Sequence, residues 1–386
     1  MQYDVAILGG GFVGHTLLRM CTALGLNVCL IEAKAPMHTP TSDGRAIALS
    51  YTSVALLKRL NVWDELSPVA TAIQRVQVSS KGHLGTMVCD ANDLSIPYLG
   101  QVIPAPLLGT TLVGAPHEAP VIYDIVTGIQ SAPTHATIAL KNVEITASLV
   151  LACDGTESFS RDYLKIDTEE KVSNKKALVF NIQTDKPHNN TAFQRLIPKG
   201  VTALLPLQDN KMTVVLSLEE PQAEAMNTLT DEQLSSELKL IWGGRFGAMR
   251  VHGPRFIYPL KQVYARTPVM DRVILMGNAA HTLNPIAAQG LNLAFRDIAV
   301  LQDILEDAKA LSKDLGEFVP SIYLKRIQPA HERMSRITDF MVNISYAAPL
   351  SPFQGMGLSL LQHMPFLKNK WARVFAGLDG HQGART

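Results

Sequence analysis

The tract Gly9-Gly10-Gly11-Phe12-Val13-Gly14 constrains this chain more than any other feature. It fits GxGxxG, and its surroundings fit as well: Val5 to Leu8 reads as a strand before it, Phe12 to Leu24 as a helix after it, and Val28 to Ile31 as a second strand running into Glu32. That is a strand-helix-strand unit shaped around a phosphate. Gly9 permits the tight turn, Gly11 lets backbone amides approach a pyrophosphate, and Gly14 lets the helix close on the strand. The helix N-terminus favours negative charge, and Glu32 is placed to accept hydrogen bonds from an adenosine ribose. The unit implies dinucleotide binding without separating FAD from NAD.

At 386 residues the chain is long for one domain, so a large composite domain or two interleaved ones are expected. Lys plus Arg number 35 and Asp plus Glu 34, a balance with no footprint for a nucleic-acid backbone. Cys21, Cys29, Cys89 and Cys153 form no CxxC pair, so no zinc site or redox dithiol is expected and no metal is assigned. Met1-Gln2-Tyr3-Asp4 offers no basic leader, and no apolar window is long enough to span a bilayer, so the expectation is cytoplasmic, with any membrane contact peripheral on the inner face.

Further along, short strand-like runs from about Ile73 to Gln101 and from Ala177 to Tyr264 read as two pieces of one antiparallel sheet. Leu149 to Ala152 and Val273 to Met276 read as buried strands that rejoin the first unit. The first runs into Asp154-Gly155, with Ser158 and Arg161 behind it; the second runs into Gly277-Asn278-Ala279-Ala280-His281, continued by Pro285, Gln289, Gly290, Leu291 and Asn292. Each turn alone is an ordinary strand cap, but three such turns after three strands suggest one shared groove. Ala294, Ile298, Leu301 and Leu305 then give a helical apolar stripe. Arg45 stands before Ala46 to Leu49, read as an apolar helical run, and either points to solvent or reaches the cofactor. Arg161 reads first as a surface ion-pairing residue, and His281 first as a turn histidine bonded to backbone, second as a proton carrier. His331-Glu332 starts like HExxH but lacks the second His, so it is set aside.

In this order, the GxGxxG tract, the central Asp-Gly segment and the late Gly-Asn-Ala-Ala-His segment resemble the three motifs of the para-hydroxybenzoate hydroxylase type of flavin monooxygenase, often called class A. Asp43 to Leu49, Gly82-His83, Gly100-Gln101-Val102 and Gly277 to Asn292 resemble the ubiquinone-biosynthesis hydroxylases within it, most of all the branch acting on 2-polyprenyl-6-methoxyphenol. The superfamily usually carries Asp where this chain, like the methoxyphenol branch, has Asn278, and Gly where this chain has Ala288.

The resemblance implies an α/β (α+β composite) fold: a Rossmann-like FAD-binding domain in segments 1–72, 107–174 and 266–340, an inserted antiparallel-sheet substrate domain in 73–106 and 175–265, and a helical C-terminus over 341–386. It implies FAD held by Gly9, Gly11, Gly14, Glu32, Arg45, Gln101, Asp154, Gly277, Asn278, Gln289, Gly290, Leu291 and Asn292, with His281 and Pro285 at the reacting end. NADPH or NADH would act as a transient reductant, O2 as oxidant and a polyprenylated phenol as substrate, through a C4a-hydroperoxyflavin. Two alternatives stay open: a flavin-dependent prenyl reductase or oxidase, and a non-catalytic FAD-binding subunit of a quinone-synthesis complex. Phe353 to Phe375 is apolar with Lys368, Lys370 and Arg373 nearby, which suits packing on the chain's own core, or docking on anionic lipid or a partner complex.

Overall fold

The computed structural model describes residues 1–34, 45–114, 119–283, 289–346 and 362–379. The first sheet has eight strands, and five of them are parallel, in the order Val121–Tyr123, Val28–Glu32, Gln2–Leu8, Glu144–Ala152, Val273–Leu275. Their register aligns Leu8 with Ile31 and Ala152, and Ala152 with Leu275, so the carboxyl ends finish along one edge. Ligands of such sheets bind outside that edge.

Strands buried on both faces read as continuous apolar runs. Val5 and Ile7 face Leu17, Phe295, Ile298 and Tyr323, on the side covered by helices Phe12–Ala23, Gln289–Ala310 and Leu315–Tyr346. Ala6 and Leu8 face Ile129 and Ile138 of the hairpin Val126–Ser131 and Ala136–Leu140.

A second sheet of eight strands runs in the order His281–Thr282, Met249–Ala265, Thr168–Thr184, Lys211–Glu219, Gly200–Pro206, Thr191–Ile197, Arg75–Ser80, Thr86–Asp90. It is antiparallel except where Thr191–Ile197 pairs parallel with Arg75–Ser80. These two strands come from separate excursions of the chain, so no hairpin dictates their relative direction. Leu178, Phe180 and Ile182 on one face are covered by Leu234, Leu238 and Trp242 of helix Asp231–Trp242.

Between the two sheets lies a small third one, with Gly100–Pro104 in the middle, Ala46–Ser50 on one side and Thr71–Ile73 on the other. Ala46 to Leu49 is therefore strand, not helix: its backbone pairs with Gly100–Pro104, and the helix starts only at Tyr51, capped by Ser50, whose side chain accepts from the Ser53 amide. The long strand Thr168–Thr184 begins ahead of residue 175, where the second substrate segment was expected.

Candidate active site

The dinucleotide turn is held by contacts only glycine allows. Gly9 has φ +102°, and a Cβ there would lie 2.6 Å from the Cys153 carbonyl oxygen; a Cβ on Gly14 would lie 1.9 Å from the Gly9 carbonyl oxygen. Gly11 is different, since a Cβ there would meet nothing within 4 Å. That open space lies over the start of helix Phe12–Ala23, which has no side-chain cap and no acidic residue in its first turn. Its free amides face outward, as an anion site requires. Glu32 is turned back to this turn, its carboxylate accepting from the Gly10 amide at 2.5 Å and the Lys34 amide at 3.0 Å.

The other two turns stand beside it. Asp154 accepts from the Ser158 hydroxyl at 2.5 Å and the Ser160 amide at 2.9 Å, so its carboxylate fixes the helix Phe159–Tyr163. Arg161 forms the ion pair expected from sequence, with Asp162 at 3.4 Å, but not at the surface: it is buried, and its Nη1 donates to the Ala279 carbonyl at 3.3 Å, tying the central turn to the late one. Gly277 has φ +58° and packs against Val13. Asn278 is exposed, its amide nitrogen 3.4 Å from the Thr156 hydroxyl, and its amide oxygen has no partner among the described residues. Gln289 and Gly290 open the long helix, with Leu291 and Asn292 in its first turn. Arg45 lies over the Tyr258 ring at 5.1 Å, and Gln101 is half-buried on the middle strand of the small sheet. Pro285 and Ala288 lie outside the described residues.

Asn292 accepts from the Ser50 amide at 2.8 Å and the Ser53 hydroxyl at 2.7 Å, and donates to the Ala48 carbonyl at 2.9 Å. Its side chain therefore pins the small sheet to the long helix.

His281 is fully buried and bonds a side chain, not backbone. Its Nε2 is 3.1 Å from Asp297, and His331 Nε2 reaches the same carboxylate at 2.9 Å. Burial pushes the His281 pKa below its ordinary value, which keeps the ring neutral and donating through Nε2. Burial opposes the Asp297 charge, but the two histidines outweigh it and hold the carboxyl far below the usual carboxylate range. The three donor atoms lie within 4.8 Å of one another, a spacing a metal could use, but Arg296 is buried beside them and its charge disfavours a cation there. His281 is not among the residues that line the cavity between the layers.

A cavity of about 90 Å³ lies between the large sheet and the layer formed by the small sheet and the start of the long helix. Ala192, Gln194, Leu205 and Val215 of the large sheet form one wall, Ser50, Gln289 and Asn292 the other, and Phe375 closes one end. The walls are mainly apolar with a few convergent polar groups, the pattern of a small-molecule site.

A family model described as FAD binding domain matches residues 2–310, most of the chain. The chain belongs to the FAD binding domain family. Its cradle suits that cofactor: open space over Gly11, an uncapped helix start and an unpartnered Asn278 oxygen stand where a pyrophosphate and a ribityl chain need donors and acceptors. Relatives include the ubiquinone hydroxylase UbiL of Rhodospirillum rubrum, 28% identical over 97% of this chain and 89% of that protein. The 3-demethoxyubiquinol 3-hydroxylase of Escherichia coli is 27% identical over 97% of this chain and 98% of that one. Among solved structures, p-nitrophenol 4-monooxygenase PnpA from Pseudomonas putida DLL-E4 superposes with TM-score 0.77 at 18% identity, over 98% of this chain and 99% of that one, a likeness of fold.

Sequence reasoning missed Asp297 and His331 as a pair, and Gln194 as a cavity wall. His331 carried a sign that was available: it falls on the buried stripe Ile327, His331, Met334 of its helix, where a polar residue needs a partner.

Proposed function

We propose that this chain is a FAD-dependent monooxygenase that uses NAD(P)H and O2 to hydroxylate a polyprenylated phenol in ubiquinone biosynthesis. The observation that carries the reading is the apolar cavity enclosed between the flavin-side residues Ser50, Gln289 and Asn292 and the wall Ala192, Gln194, Leu205 and Val215. Bound FAD supplies hydride acceptance from the nicotinamide and the activation of O2. The chain's own residues do the rest. The Gly9–Gly14 turn and the start of helix Phe12–Ala23 hold the pyrophosphate, Glu32 exchanges its bonds to Gly10 and Lys34 for the ribose, and Asn278 takes the ribityl chain. Gln194 and Ser50 orient the phenol, while the apolar wall excludes water. His281, through Asp297, holds the late turn in place.

Among the described residues no helix is long and apolar enough to cross a membrane. A prenylated substrate is reached instead by peripheral contact through the helix Pro365–Ala376. Its Ala372 and Ala376 are buried in a core cluster that Trp371 and Phe375 pack against, whereas Phe366 is 81% exposed and Met364 precedes it at 42%.

The test is anaerobic reduction of the FAD-loaded protein by NADPH, with and without a prenylated methoxyphenol, followed by oxygen and product analysis. Reduction accelerated by the phenol and a product heavier by one oxygen are expected. Retained FAD that neither NADPH nor NADH reduces would sink the proposal and favour a non-catalytic subunit; a product altered in its prenyl chain, with no oxygen added, would favour a reductase.

A further inference from the structure

Two neighbouring strands that wall the substrate cavity present a second, polar pocket on their other face. Arg75–Ser80 and Thr191–Ile197 pair in register, Val76 with Ala192 and Gln77 with Phe193. Side chains alternate across a sheet, so Val76, Ala192 and Gln194 face the cavity while Arg75, Gln77 and Arg195 belong to the opposite face. There Arg75, Gln77, Lys186, Thr191, Phe193 and Arg245 line a concavity.

Its cations are held in place and undercompensated. Arg245 lies over the Phe193 ring, 4.4 Å from its centroid, and its Nη2 donates to the neutral Gln77 Oε1 at 2.8 Å. Arg195 sits behind it, over the Trp242 ring at 5.7 Å, with its buried Nε unpartnered. Lys186 meets only the Gly244 carbonyl, at 3.4 Å. Arg75 has Asp90 at 2.8 Å, but among the described residues no carboxylate reaches Arg195, Arg245 or Lys186. His188 is engaged elsewhere: its Nδ1 accepts from the Asn190 amide and its Nε2 lies 2.7 Å from the Leu207 carbonyl.

Three uncompensated cations in a chain whose net charge is +1 make a local excess that a single carboxylate would not neutralise. Burial, and after it the charge of Arg195, push the Arg245 pKa down, a strain that a bound anion relieves. Guanidinium forks match phosphate oxygens bidentately, and a stacked, hydrogen-bonded arginine loses little freedom on binding. We propose that this pocket binds a phosphoryl group, back to back with the substrate cavity across one layer of sheet.

That chemistry has two sources, a phosphate of the nicotinamide nucleotide or the headgroup of an anionic lipid. The experiment is calorimetric titration of the FAD-loaded full chain with inorganic pyrophosphate at low ionic strength. Bound FAD keeps the probe out of the Gly9–Gly14 site. Saturable binding is expected, weakened about tenfold by Arg245→Gln, as for the loss of one charge-assisted contact. Arg245 is exposed, so the variant keeps its fold; Lys186→Gln on the other side of the pocket gives an independent reading. Titration with 2′,5′-ADP and flotation with phosphatidylglycerol vesicles then separate the sources, according to which loses binding in Arg245→Gln. No pyrophosphate binding by the unaltered protein, or equal binding by both variants, would overturn the site. Neither result bears on hydroxylation, so this proposal and the proposed function fail separately.

Discussion

The turn around Gly9 and the cluster around Asp297 both position the cofactor end of this protein, but by opposite means. The first is local: Gly9, Gly11, Gly14 and Glu32 lie within one strand-helix-strand unit, where steric exclusion fixes Gly9 and Gly14 and two nearby amides hold Glu32. The second is assembled from a distance: His281 follows a strand, Asp297 is in the long helix and His331 is in the next, joined only by hydrogen bonds. Steric requirements tolerate almost no substitution, whereas a polar cluster degrades by degrees and responds to pH. Substitutions at the two places should therefore fail differently.

The largest effect is expected at Gly14. Even Ala would put a Cβ 1.9 Å from the Gly9 carbonyl oxygen, and Gly14→Val adds a branched side chain where helix and strand meet. The expected outcome is protein that retains no FAD, read from the flavin absorbance after desalting, with the melting transition lowered or lost. A Gly14→Val protein that still retains FAD would show that the turn is more plastic than its geometry implies. Gly11→Ala is the internal contrast, because a Cβ there meets only open space: the fold should persist while FAD affinity falls.

Next comes Asp297→Asn. Removing the charge from a carboxylate shared by two buried histidines should destabilise by about 3 kcal/mol, as for a broken buried pair. Denaturant unfolding measures it, and His331→Gln should recover little when combined with it, since the two act through one carboxylate. The same cluster gives a pH dependence with a definite sign. The folded His281 pKa lies below its ordinary 6.5, so the folded state binds that proton less well than the unfolded chain. Its stability is complete above 6.5 and is lost as pH falls below that value toward the lowered folded pKa. Asp297, also held below the ordinary carboxylate range, adds a loss of the same sign at more acid pH. Melting temperature should fall on acidification from about pH 6.5, and Asp297→Asn should alter that slope. A flat profile in the unaltered protein would remove His281 from the account.

The same contrast explains what sequence could and could not show. The glycine turn, its acidic partner and the strands ending at Asp154 and Asn278 were legible because their requirements are written within a few residues. Ala46 to Leu49 misled: its apolar run suits helix or strand, and pairing with Gly100–Pro104, about fifty residues away, decided it. The burial of Arg161 was hidden for the same reason, since besides its neighbour Asp162 it bonds the distant Ala279 carbonyl. His331 reads from sequence as half of a metal motif that lacks its second His, while its actual partner, Asp297, is 34 residues distant.

Asn292 tests a position where the two kinds of reasoning meet. From sequence it belongs to the flavin segment, but its side chain holds the Ser50 amide, the Ser53 hydroxyl and the Ala48 carbonyl. Asn292→Ala should cost about 2 kcal/mol by leaving these buried groups unpaired. It should also raise KM for the phenol more than it weakens FAD, because Ala48 and Ser50 line the substrate cavity. Weaker FAD binding with an unchanged KM would return Asn292 to a direct cofactor role.

The smallest effect is expected at Phe375, which closes one end of the cavity from the C-terminal helix. It is half-buried among Trp371, Ala372 and the small-sheet residues, so Phe375→Leu keeps an apolar contact and should change stability by less than about 1.5 kcal/mol. Ring loss at the cavity end removes contact with whatever part of the substrate lies farthest from the flavin-side wall. KM should therefore rise more for a long-prenyl substrate than for a short one, while kcat and the rate of flavin reduction by NADPH alone stay unchanged. Equal shifts for both substrates would place Phe375 beside the ring and not the prenyl chain. The cavity would then end short of the C-terminal helix, and the substrate would have to enter from another side.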